Sequence, residues 1–271
     1  MDITKRKIIN DYLALKRKNI IFSVVVAVCL FICIIIAIVV GAANISFTDI
    51  YRVFTGNGSR FVTNIVWNIR LPRVLTAVFA GMGLALSGVV MQGILKNPLG
   101  SPFTLGISQA ASFGAAFGIM VIPGRISNFY SIALSAFFGA LLSTFIVLLL
   151  AKYKKGSPET MVLTGVAMAS VFTAGTTALQ YFADDIELAA IVFWTFGDVG
   201  RTTWMNLILI IVTVILSFIY FSYKSWDYNT LNAGDETAIG LGVNVELLRL
   251  VGMIVSSFLT ALIVSLVGVI G

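Results

Sequence analysis

Apolar runs of about 20 residues, the length needed to cross the hydrocarbon of a bilayer, recur along the chain with polar or charged breaks between them. Seven such runs cover 20–41, 73–95, 103–123, 130–151, 161–181, 203–223 and 250–270. The first is unbroken from Ile20 to Val40. It is longer than a signal-peptide core and no small-residue cleavage site follows it, so it reads as a retained helix. The pattern predicts an all-α, polytopic membrane helical bundle of seven spans. A basic N-terminal segment, 1–19, precedes the membrane domain, 20–271.

The breaks carry local signals of their own. Ser46 or Thr48 can cap a short surface helix ending at Phe54, and Gly56-Asn57-Gly58 is a turn. Pro72 suits the first turn of the second span. Asn97-Pro98 and Ser101-Pro102 break the chain without a long polar run. Non-helical backbone at membrane depth must be buried in protein or face water, so this turn is expected to tuck into the bundle, with Gln92 and Asn97 facing other helices or a pathway. Residues 224–249 hold two short helical signals, one capped by Asp235 and ending near Gly240 or Gly242, the other capped by Asn244. A docking platform and an ordinary re-entry loop are both open at this point.

Small residues mark close packing. Gly81, Gly83, Ala85, Ser87 and Gly88 crowd the second run, and Ala110, Gly114 and Gly118 stack at four-residue spacing in the third, which lets backbones approach in lipid. The fifth run holds Thr164, Thr173, Thr176, Thr177 and Gln180; threonines in membrane helices often bond their own backbone. Arginines at 70 and 73, a packable helix and a broken turn together suggest transport more than simple anchoring.

Composition agrees: hydrophobic residues are 59% and charged residues 11% of the chain. The net charge of +6 is topological rather than a nucleic-acid signal. With the N-terminus inside, twelve of the 18 basic residues, including every lysine, fall on the cytoplasmic side. Short loops rich in Lys and Arg stay in the cytoplasm, so Met1 is expected there, in the cell membrane. The remaining cations are arginines at 52, 60, 70, 73, 125 and 201, a residue suited to pairing with carboxylates. Asp184, Asp185, Glu187 and Asp198 read as a solvated outer loop, with Trp194 and Trp204 at the interface.

Histidine is absent, which removes Ser-His-Asp catalysis and histidine ligation. Cys29 and Cys33, one turn apart in the first run, are too few ligands for a metal site. No catalytic residue, metal site or cofactor is expected. No G-x-x-x-x-G-K-[ST] occurs, so any ATP must bind another polypeptide. An ion-coupled secondary transporter is the alternative class; it calls for ionisable groups mid-span, and the runs hold none. A membrane enzyme lacks the required histidine or paired acidic motifs.

Several blocks resemble the FecCD-type permeases in the correct order: RLPR at 70–73, GMGLALSGVVMQG at 81–93, NPLGSPFTLGIS at 97–108, TMVLTGVA at the fifth run, FWTFGDV, and AGDETAIGLGVNV at 233–245. The resemblance implies the membrane subunit of an ATP-binding-cassette importer for an iron–siderophore, haem or cobalamin. It implies a second permease copy, two cytoplasmic ATPase subunits and an extracytoplasmic substrate-binding protein, all at the membrane lipid. By position, it makes Arg70 and Arg73 docking residues for the binding protein. It makes Ala233, Gly234, Asp235, Glu236, Ala238, Leu241 and Gly242 part of an ATPase docking loop. Ser157, Pro158 and Glu159 match a cytoplasmic gate. The second and fifth spans match pathway helices, which makes Ser87, Gln92, Asn97, Thr173 and Thr177 pathway candidates. The family has ten spans and this sequence ends at Gly271, so the resemblance implies that the last three are missing, as in a fragment or an inactive truncated permease.

Overall fold

The structure, a computed structural model, describes residues 2–41, 43–121, 129–153 and 158–270, with the backbone alone at 2–8 and 10. Among the described residues the regular structure is entirely helical: α1 (Asp2–Val39), α2 (Phe47–Phe54), α3 (Arg60–Ile65), a π turn (Val66–Arg70), α4 (Leu71–Leu95), α5 (Ile107–Val121), α6 (Phe129–Tyr153), α7 (Pro158–Phe182), α8 (Asp185–Thr195), α9 (Trp204–Tyr223), α10 (Ser225–Asn232), α11 (Asp235–Gly240) and α12 (Val245–Val267). Among the described residues six helical segments are long and apolar enough to span a membrane: Asp11–Val39, Arg60–Leu95, α6, α7, α9 and α12. The shorter apolar helix α5 corresponds to the third run. It starts after a 3-10 turn at Phe103–Leu105, because Gly106 adopts φ +72 and breaks the helix there.

The second span differs from expectation. Pro72 does not open the helix; helical backbone already runs from Arg60 through α3 and the π turn. A proline inside an α-helix clashes with the preceding turn. The wider π ring, closed by the Leu71 N–H donating to the Val66 carbonyl, accommodates it.

Residues 1–74 and 75–271 form two compact units. In the first, α1 is one helix of 38 residues, about 57 Å at 1.5 Å per residue, so the basic stretch and the first span are continuous. Ser46 caps α2 in a capping box with Asp49, as its sequence suggests, and Ser59 caps α3. Ile45, Ile50, Val53 and Val66 form a small core with Ile38 and Val39 at the end of α1.

In the second unit the tightest seam joins α5 and α6. A Cβ on Gly114 would strike the Ser135 carbonyl, one on Gly118 the Ser135 hydroxyl, and one on Gly139 the Ala110 carbonyl. The small residues of the third run therefore do let two backbones meet. The 96–106 turn is tucked in over its second half only: Gly100, Pro102 and Leu105 are buried, and the Ser143 hydroxyl donates to the Leu105 carbonyl at 2.9 Å, whereas Lys96, Pro98 and Leu99 are exposed. Gly165 of α7 faces the Thr104 carbonyl, so this turn packs directly on α7.

The 182–202 loop contains an unforeseen helix. Asp184 and Glu187 form a capping box that starts α8, and Asp198 accepts from the Gly200 N–H at 2.7 Å. Two of the acidic residues read as solvated are thus helix caps. Trp194, expected at the interface, is buried in the α8 core contact.

Candidate functional site

Two short helices, α10 and α11, lie between the spans α9 and α12. Asn244 caps α12 through the Leu247 N–H at 3.0 Å, and Gly234, at φ +129, turns the chain from α10 into α11. Leu231, Ala238, Val245 and Leu248 close a local core beneath Tyr228 and Val243. Two short helices are thereby fixed to the start of a span.

Asp235 is the hub of this platform. It does not cap α11 with its side chain, as the sequence suggested. Its carboxylate accepts from the Arg249 Nη2 at 2.9 Å to each oxygen and pairs with the Lys96 Nζ at 2.7 Å. Lys96 follows α4 with φ 48, a left-handed conformation that ends the helix. One carboxylate therefore joins α11, α12 and the end of α4. Burial pushes the Asp235 carboxyl up, but the hydrogen bond from Lys96 and the Arg249 charge outweigh it and hold the group below the usual carboxylate range. In α10, burial and Tyr220 push the Tyr228 phenol far above its ordinary value, so it stays protonated.

The residues proposed from the loop motif separate into two kinds. Ala238 is 0% exposed and is core, not docking surface. Asp235 is turned into the ion cluster. Ala233, Glu236, Leu241 and Gly242 are exposed, Gly234 half-buried, and Ile239, missed by sequence reasoning, is 63% exposed. A groove of about 680 Å³ beside Ile239 is lined also by Lys152, Met161, Glu246 and Leu250. Ile239 lay within the matched motif; its exposure follows from the α11 face that buries Ala238.

A second open surface is on α7. Thr173 and Thr177 are exposed and line a groove of about 930 Å³ with Phe103, Ser170 and Tyr181. Their hydroxyls donate to the Ala169 and Thr173 carbonyls at 2.8 and 3.1 Å. Hydroxyls bonded this way soften the face without presenting bare donors. On α4, Gln92 is exposed, and Gly81 and Gly88 have nothing within 4 Å of a built Cβ. Ser87 is instead fully buried and donates to the Ser256 carbonyl at 3.2 Å. Asn97 organises its own turn, accepting from the Leu99 N–H at 2.9 Å. Of the gate candidates, Pro158 and Glu159 open α7, with Glu159 exposed; Ser157 lies outside the described residues.

The two arginines of the RLPR block also diverge. Arg70 is 7% exposed and donates to the Ile38, Val39 and Ala43 carbonyls at 2.7, 2.7 and 2.6 Å. It closes the C-terminal end of α1, whose last carbonyls have no partner within the helix. Arg73, one turn on, is exposed.

An all-helical chain with several apolar spans and a platform of short helices outside them is a polytopic membrane fold. Residues 29–271 match the family model of the FecCD transport family, and the chain belongs to that family. It is 47% identical to a protein of Methanocaldococcus jannaschii named as an ABC transporter permease, over 100% of this chain and 79% of that one. It is 35% identical to the hemin transport system permease protein of Yersinia pestis, over 85% of this chain and 69% of that one. A solved structure described as a metal-chelate type ABC transporter in an inward-facing conformation superposes with a TM-score of 0.79 at 29% identity, covering 93% of this chain and 77% of the other. Of several other curated relatives the chain spans 61% to 62% of the length.

Proposed function

We propose that this chain is the permease subunit of an ATP-driven importer that carries a metal chelate, of the iron–siderophore or haem kind, into the cytoplasm. In this reading it sits in the cell membrane with its N-terminus in the cytoplasm, pairs with a second permease copy, and has no catalytic residue of its own. ATP is hydrolysed on two cytoplasmic ATPase subunits, and a substrate-binding protein delivers the chelate at the outer face. The cargo class is supported by the names of the hemin permease and of the metal-chelate transporter. The α7 face carrying Thr173 and Thr177, with Gln92 of α4, would line the pathway.

The observation that carries the reading is the α10–α11 platform. It presents Ile239 and Leu241 outward while Asp235 ties it to the end of α4 through Lys96 and to α12 through Arg249. An ATPase that grips the exposed side moves two spans through one carboxylate. The binding protein would use Arg73, with Arg70 holding the adjoining turn in place.

The test is co-purification with the cognate ATPase subunit. Ile239→Asp with Leu241→Asp should abolish it and leave membrane insertion intact, because both side chains are exposed. Undiminished co-purification would remove the platform as the docking site. Ala238→Asp is the wrong probe, since it buries a charge in the platform core and unfolds the element it is meant to report on.

A further inference from the structure

The transport reading leaves α2 without a role. Seven of its eight residues divide into three sectors around the helix at about 100° per residue, and the eighth, Asp49, partners Ser46 in the capping box. Ile50 and Val53 are buried in the small core. Thr48 and Arg52 are exposed on the polar side. Between these sectors stand Phe47, Tyr51 and Phe54, which are 67%, 68% and 55% exposed.

The aromatic sector does not stop at α2. The Phe54 ring lies 6.0 Å from that of Trp67 in the π turn, and Phe61 of α3 is exposed as well. Phe47, Tyr51, Phe54, Phe61 and Trp67 are thus all exposed on the first unit.

Its depth is set by Arg70 and the core. The core of α2 includes Ile38 and Val39, the last turn of α1, and Arg70 bonds the carbonyls of those same two residues. Every side chain from Ile20 to Cys33 of α1, within the first apolar run, is exposed, as suits a helix whose solvent is lipid. α2 is therefore held at the level where an apolar span ends. At that level aromatic rings are favoured, and a helix with one apolar and one polar flank lies in the interface plane. A protein partner approaching from water would meet the Thr48–Arg52 side first.

We propose that α2 is an interfacial helix whose Phe47, Tyr51 and Phe54 insert at the headgroup–acyl boundary of the leaflet in which α1 ends, with membrane lipid as their occupant. This goes beyond the transport reading and does not depend on it. So placed, the helix fixes the depth of the Arg70 turn in the bilayer.

The test uses the full chain with Cys29→Ala and Cys33→Ala, in vesicles of phosphatidylethanolamine and phosphatidylglycerol. Single cysteines at Phe47, Tyr51, Phe54, Thr48 and Arg52 carry a nitroxide. Collision with oxygen should exceed collision with a water-soluble nickel chelate several-fold at 47, 51 and 54, and the order should reverse at 48 and 52. Nickel access at the three aromatic positions would overturn the proposal and make this face a docking surface for a soluble protein. Protection from both reagents would also overturn it, in favour of a second protein chain. The unlabelled cysteine variants give an independent reading. A membrane-impermeant maleimide should label 47, 51 and 54 several-fold more slowly in vesicles than in detergent; equally fast labelling in both overturns the proposal.

Discussion

Arg70 and Asp235 make an informative pair. Each sits in a block that resembles a docking motif, each is charged, and each is turned inward. Arg70 faces neutral backbone carbonyls at the end of a helix, where no carboxylate lies among its partners. Asp235 faces two cations, Lys96 and Arg249. The first arrangement repairs a helix end; the second joins three elements. The difference lies in what replaces the lost water: three dipoles around a cation in one case, full countercharges around a half-exposed anion in the other. In both blocks the exposed side chains belong to the neighbours, Arg73 in one, Ile239 and Leu241 in the other.

The largest effect is expected at Arg70. Arg70→Leu leaves three part-buried carbonyls without this donor; each unmet group costs about 1 kcal/mol at the low end of the range, so a loss on the order of 3 kcal/mol follows. Arg73→Ala, at an exposed position, should stay within about 0.5 kcal/mol. Thermal unfolding in detergent checks both. Equal, small losses would show that Arg70 does not repair the end of α1, and the contrast with Asp235 would fail.

Asp235→Asn comes next. It leaves the mostly buried Arg249 and Lys96 facing each other across a neutral amide. The Lys96 pair is half-exposed and adds little, so the cost should be about 1–2 kcal/mol. It should also be local. Amide hydrogen exchange should accelerate across 233–243 while the α5–α6 seam stays protected. Uniform acceleration would mean that the carboxylate supports the whole bundle rather than one joint.

These inward orientations mark the limit of what the sequence discloses. The apolar runs are legible as helices because their period and length are local properties. Ser46 and Asn244 are legible as caps for the same reason, and Gly114 and Gly118 as a packing face. The fate of Arg70 is not local: its partners lie 27 to 32 residues away. Ala238 and Asp235 share the motif with exposed residues, and only the α10–α12 contact separates them. Pro72 misleads because proline opens helices far more often than a π turn carries a helix through one. α8 was within reach, since Asp184 and Glu187 have capping-box spacing, but acidic residues beside a membrane read first as solvated loop. The pathway candidates show the same limit. Thr173 and Thr177 face a groove, while Ser87, on an equally small-residue helix, faces α12.

Gly41→Ala sharpens the Arg70 half of the comparison. A Cβ at Gly41 would lie 2.7 Å from the Arg70 Nη2, closer than real contacts allow. The obstacle is the end of a flexible side chain, so the guanidinium can shift. The cost should be about 1 kcal/mol, at the low end for overpacking. In an Arg70→Leu background the same alanine should cost much less, because its collision partner is gone. Additive losses would mean that Gly41 acts through backbone freedom and not through the approach of Arg70.

The smallest effect is a pH dependence confined to the Asp235 half. The folded carboxyl is held below its ordinary value, so the unfolded state binds more protons as pH falls. Its contribution is therefore fully present above the unfolded pKa of about 3.9 and is lost as pH drops through the lower folded value. Between about pH 5 and 8 hydrogen exchange in 233–243 should show no change traceable to this group, and protection should decline only below about pH 4. The Arg70 turn has no carboxylate among its partners, so protection of the Ile38–Ala43 segment should pass through the same range unchanged. Asp235→Asn should abolish the acid-side decline in 233–243 from its lower starting level. A decline that persists in that variant would assign the titration to another acid, with Glu236 and Asp227 the nearest in sequence to Asp235, and would remove Asp235 as the joint between α4, α11 and α12.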